Sequence, residues 1–219
     1  MSGDKISKKI NKFVDKLKTY FEDELISVLI YGSYARGDYL KGFSDINILV
    51  LVNELSIDDL LNVSRLSGKF FNVRQAIFTP SILENSWDFF PLQWTEIKKH
   101  GIIVYGKDFK DEIMVSQEAL KTQLGREARQ FYFTMQGLVM ERNYEAIFQT
   151  IRRQTRIIQS GLEYLKIKKV EFNYLAELEN LMRKKLKLAF GNVNVMRFAG
   201  AHMETLEKTI LILNSLQQD

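Results

Sequence analysis

The chain has 219 residues, 46% of them hydrophobic, so it can build a packed core and is no disordered tail. It has no cysteine, which excludes disulfides and thiolate zinc sites. Net charge is +4 but unevenly spread: residues 1–115 hold 15 Lys and Arg against 16 Asp and Glu, residues 116–219 hold 16 against 11. The Lys-rich start lacks a signal-peptide pattern and no apolar run has membrane-spanning length, so no membrane partner is expected and a cytoplasmic location is the simple reading.

Residues 5–21 place Ile6, Ile10, Phe13, Val14, Leu17 and Phe21 at helical spacing. "LISVLIYGS" reads as a buried strand running into a tight turn, and "SDINILVLV" as a second strand. "SIDDLLNVSRLS" predicts a helix with Ser56 as N-cap and Asp58 and Asp59 in its first turn. "FNVRQAIF" reads as a third strand, Thr79-Pro80 opens a helical turn, "PLQWTEIKKHG" reads as a helix and "IIVYG" as a short strand. From Ser116 the alternation stops. Helical segments are expected near 117–142, 145–168, 172–190 and 194–215, with Gly191-Asn192 as a C-cap signal. The expected architecture is α+β: a mixed sheet flanked by helices over 1–112, then an all-α helical bundle over 113–219.

The stretch "YGSYARGDYLKGFSDINILV" carries the chemistry. Gly32 allows close backbone approach to a ligand, and the Ser33 hydroxyl can bond a phosphate oxygen. Asp45 and Asn47, two apart on a strand, share a face. Arg36 and Lys41 lie in the loop between Gly-Ser and Asp45 and can neutralise phosphate or sit in solvent. Two carboxylates at positions 45 and 47 would suit a pair of metal ions; Asn47 offers only a neutral oxygen.

"GSYARGD…SDIN" resembles the signature of the DNA polymerase beta-like nucleotidyltransferase superfamily, over about residues 25–106, in a form with Asp-x-Asn in place of Asp-x-Asp. The resemblance implies that Gly32 and Ser33 hold a nucleoside triphosphate, with Arg36 and Lys41 beside it. It implies that Asp45, and weakly Asn47, act as metal-binding and catalytic residues with Mg²⁺. It also implies a third carboxylate on a later strand, yet "FFNVRQAIF" contains no acid; Glu84, Asp88 and Glu96 follow in helical sequence. The reaction implied is nucleotidyl transfer to a hydroxyl on a small molecule, a protein or a nucleic acid. The incomplete acids keep a second reading open: a pseudoenzyme that senses a nucleotide or binds a partner. The oligomeric state, a homo-oligomer included, is left open.

In the second half, Arg126 with Arg129, and Arg152 or Arg153 with Arg156, share helix faces and read as phosphate clamps or surface pairs. Arg197 and His202, four residues between them, resemble the Arg-x-His spacing of HEPN-type ribonucleases, with Phe198 where that family usually has a polar residue. The plainer reading of His202 and His100 is packing.

Overall fold

The structure, a computed structural model, describes residues 2–39, 44–67, 73–183 and 192–216. It divides into two compact units, Met1–Val115 and Ser116–Asp219. Among the described residues no helix is long and apolar enough to cross a membrane.

The first unit is α+β. Helix α1 (Ser2–Phe21) precedes β1 (Leu25–Tyr31), a single helical turn α2 (Ser33–Arg36), β2 (Ile46–Val52), α3 (Ile57–Ser67), β3 (Val73–Phe78), α4 (Pro80–Glu84), α5 (Pro91–His100) and β4 (Ile102–Gly106). The strands form one mixed sheet in the order β3-β2-β1-β4. β1 runs antiparallel to β2 and β4, while β2 and β3 are parallel.

Strand alternation divides the core between the two sheet faces. Val28, Ile30, Ile46, Ile48, Val50 and Val52 join the Ile10, Phe13, Leu17 and Phe21 face of α1. Leu29, Leu49 and Leu51 face the other way, onto Leu83 of α4 and Trp94 and Ile97 of α5. Asn47 has the parity of Leu49 and Leu51, so the sheet's α5 side is also the side of the candidate site. Pro80 and Pro91 each stand at the start of their helix, where a missing N–H costs nothing.

The second unit is helical: α6 (Gln117–Met140), α7 (Tyr144–Tyr164), α8 (Leu175–Arg183) and α9 (Asn192–Ser215). Ser116 caps α6 by accepting from the Ala119 N–H, and Asn143 caps α7 by accepting from the Ala146 N–H. Leu124, Met135, Ile147, Ile151, Ile158, Leu178, Val195 and Leu206 are buried in this unit. α8 begins three residues later than its periodicity predicts; its expected end at Gly191 lies outside the described residues.

Candidate functional site

The site forms where β1 stops. Gly32 adopts φ 75°, ψ −153°, a region essentially open only to glycine. The chain then makes one helical turn, with Arg36 N–H donating to Gly32 O at 3.0 Å and Asp38 N–H donating to Ser33 O at 3.0 Å. Gly37, left-handed at φ 83°, ends the turn. The N–H groups of Ser33, Tyr34 and Ala35 come before any intrahelical partner, which is what a phosphate-gripping turn requires.

Asp45 immediately precedes β2 and Asn47 sits in its first turn of pleat, both half-buried. Asn47 pairs across the ladder with Tyr31, which brings it beside Gly32. A Cβ added at Gly32 would collide with the Asn47 amide. The side chain at 47 thus fills the space that glycine leaves, and turn and strand are fitted to one another. Burial first, then the Asp45 charge and Tyr34, push the Tyr39 hydroxyl above its ordinary value. Tyr39 packs edge-on against Tyr34, centroids 5.9 Å apart.

Arg36 is engaged by acids of its own turn and of α5. Its guanidinium is ion-paired to Glu96 of α5, and its Nε lies 3.3 Å from the Asp38 carboxylate. The Arg36 and Glu96 side chains are only 23% and 12% exposed. Burial alone would lower the Arg36 guanidinium, but the charges and hydrogen bonds of Glu96 and Asp38 outweigh it and hold it above its ordinary value. Of the three acids following the third strand, Glu96 is the one brought to the Gly-Ser turn; Glu84 and Asp88 are exposed. Lys41 lies outside the described residues. On β3 the residue in register with Asn47 is Arg74. A cationic residue type therefore stands on the neighbouring strand beside the paired positions, where the resemblance implied an acid. Among the described residues no group of three or more His, Asp or Glu could hold a metal ion.

The ribonuclease-like pair in the second unit does not make one site. His202 is 0% exposed. Its Nδ1 accepts from the Tyr174 hydroxyl at 2.8 Å, and its Nε2–H donates to Gln154 Oε1 at 2.9 Å. Thr155 Oγ1 lies 3.0 Å from the Tyr174 oxygen. Burial pushes His202 down to about 4, so it is neutral near pH 7. Arg197 is exposed and held by Glu177 at 2.6 Å. Arg129 donates to Gly125 O and Asn214 Oδ1, and Arg156 to Gln159 Oε1.

With this geometry in hand, the chain can be set beside known proteins. The sequence pattern of the nucleotidyltransferase domain matches residues 10–187. The chain belongs to the nucleotidyltransferase domain family. Among curated relatives, a candidate protein adenylyltransferase of Methanocaldococcus jannaschii is 35% identical over 86 residues, 37% of this chain and 84% of the relative. A second from that organism, bearing the same activity in its name, is 28% identical over 78 residues, 35% of this chain and 78% of the relative. A third is 41% identical over 46 residues, 21% of this chain, and there the match spans only 31% of the relative's length. The spectinomycin adenyltransferase of Enterococcus faecialis, crystallised with ATP and spectinomycin, shares the fold: TM-score 0.58, 15% identity, 92% of this chain and 99% of that one.

Proposed function

We propose that this nucleotidyltransferase binds an adenosine triphosphate at the Gly32–Ser33 turn and transfers its adenylyl group slowly to a hydroxyl acceptor. The supporting observation is a glycine-only turn at the end of β1, in ladder register with the start of β2, the strand that Asp45 immediately precedes. The adenine base is suggested by the names of the M. jannaschii relatives, as is a protein hydroxyl as the first acceptor to test.

The donor set here is one carboxylate, Asp45, and one amide oxygen, Asn47. That set fits a single hard cation completed by substrate phosphates and water, and does not fit a two-cation site. Bound Mg²⁺ would supply charge neutralisation to the triphosphate. The protein's own share is positional: the N–H groups and hydroxyl at the turn fix the phosphates, and Asp45 fixes their approach. In the transfer, the acceptor oxygen bonds to the α-phosphorus and the bond to the pyrophosphate bridging oxygen breaks. The acceptor proton goes to solvent or a nearby base. With no second acid at 47 and none on β3, activation of the acceptor is the weak step. Each ~1.4 kcal/mol of missing transition-state stabilisation costs tenfold in rate.

The test is calorimetry with ATP, GTP, CTP and UTP, with and without Mg²⁺, followed by pyrophosphate release and self-labelling. ATP binding that strengthens with Mg²⁺ and weakens at least tenfold in Asp45→Asn is expected. No ATP affinity in the wild type would end the reading. Binding with no release of pyrophosphate over hours would favour the second reading, a nucleotide sensor, which Asn47 and the Arg74 register position also support.

A further inference from the structure

We propose that Glu96 is a positioning residue: through Arg36 it holds the one-turn helix α2 in its phosphate-gripping shape, and Arg36 is a tether and not a phosphate ligand. The inference rests on the reading of that turn as the phosphate grip, but its structural half can be measured without nucleotide.

Helix α2 is four residues long and cannot sustain itself; isolated helical turns are unstable without tertiary support. Its N-terminal end is fixed by Gly32 against Asn47. Its C-terminal end is Arg36, whose side chain crosses to α5 and pairs with Glu96, 60 residues away in sequence. α5 in turn is anchored by buried Leu92, Trp94 and Ile97 under the sheet, so Glu96 is presented by a rigid element. The chain from Gly32 to Asp38 is thereby clamped at both ends.

Charge matching decides between tether and ligand. Arg36 carries one positive charge between two carboxylates, Glu96 and Asp38. Both acids already engage the guanidinium, so turning it toward a triphosphate would break these pairs. Removing Glu96 leaves Arg36 with Asp38, a residue at the end of its own turn, and so cuts the link to α5. A phosphate ligand held in reserve would show the opposite sign: deleting its competitor would free it for the nucleotide.

The experiment compares wild type, Glu96→Gln, Glu96→Ala and Asp45→Asn in the full chain. Amide hydrogen exchange is followed at Arg36, Gly37 and Asp38, whose N–H groups close the turn, together with ATP affinity in Mg²⁺. In Glu96→Ala, exchange at these three amides should rise at least tenfold and ATP affinity should fall about tenfold. Glu96→Gln, which keeps a hydrogen-bond acceptor and the volume, should move both the same way by about threefold. Asp45→Asn should weaken ATP while leaving the three amides unchanged. Tighter ATP binding in either Glu96 variant, or unchanged exchange in Glu96→Ala, overturns the proposal. If the wild type binds no ATP, the nucleotide reading fails by itself, and the exchange result alone upholds or overturns the tether.

Discussion

Position 32 shows how much one missing side chain can carry. Gly32 needs a backbone region that costs other residues on the order of 1–3 kcal/mol, and its Cβ direction is already filled by the Asn47 amide. Gly32→Ala is therefore expected to lower stability by more than about 2 kcal/mol and to abolish ATP binding, measured by urea titration and calorimetry. Asn47→Asp is the companion experiment. It adds the missing carboxylate, and pyrophosphate release should rise in the variant if acceptor activation is the weak step; an unchanged rate would place the defect at the third acid. His202 makes a different kind of statement. Burial depresses it to about 4 from an ordinary 6.5, so the unfolded chain binds a proton that the folded chain refuses between those values. Its contribution is whole above pH 6.5 and is lost as pH falls toward 4, up to about 3 kcal/mol. Urea midpoints of the wild type between pH 7 and 4.5 should show this fall, and His202→Gln should flatten it.

At the level of elements, the caps and the apolar stripes were readable and the turns were less so. Ser56 was legible as an N-cap, and in the structure its hydroxyl accepts from the Asp59 N–H at 3.2 Å while Asp59 Oδ2 accepts from the Ser56 N–H at 2.7 Å. Ser56→Ala should cost about 1 kcal/mol in a urea melt, with faster amide exchange confined to α3. The strands were legible because Leu25–Tyr31 and Ile46–Val52 are nearly unbroken apolar runs. The length of α2 was not, because a glycine four residues past a plausible helix start, Gly37, gives no clue to whether it takes the left-handed conformation. The Arg36–Glu96 pair was out of reach for a plainer reason: local periodicity says nothing about partners 60 residues apart. The buried surroundings of His202 escaped for the same reason, since Gln154 and Thr155 come from α7 and Tyr174 from the residue before α8. Asp45 and Ser33 could be nominated together because one continuous stretch of sequence carries their spacing.

For the whole molecule, the useful fact is that its optical probes are unevenly placed. Both tryptophans, Trp87 and Trp94, belong to the first unit, while the longest helices other than α1 belong to the second. The second unit contains the histidine whose burial is relieved by acid. In the first, Asp59 is held below its ordinary value by its hydrogen bonds to Ser56, so its contribution is present above the usual carboxylate range and is lost only under stronger acid. Acid titration should thus reduce helical circular dichroism at a higher pH than it shifts tryptophan fluorescence. Coincident curves would mean that the two units melt together.

The amide of Asn47 resting where Gly32 has no side chain also bears on descent. A lineage cannot drift freely at either site, because any change at one is judged in the presence of the other. Aspartate has nearly the shape of asparagine and fits the same space, whereas any bulk at the glycine must displace its neighbour. A Cβ at 32 or a larger side chain at 47 should therefore be tolerated only where the other position yields room.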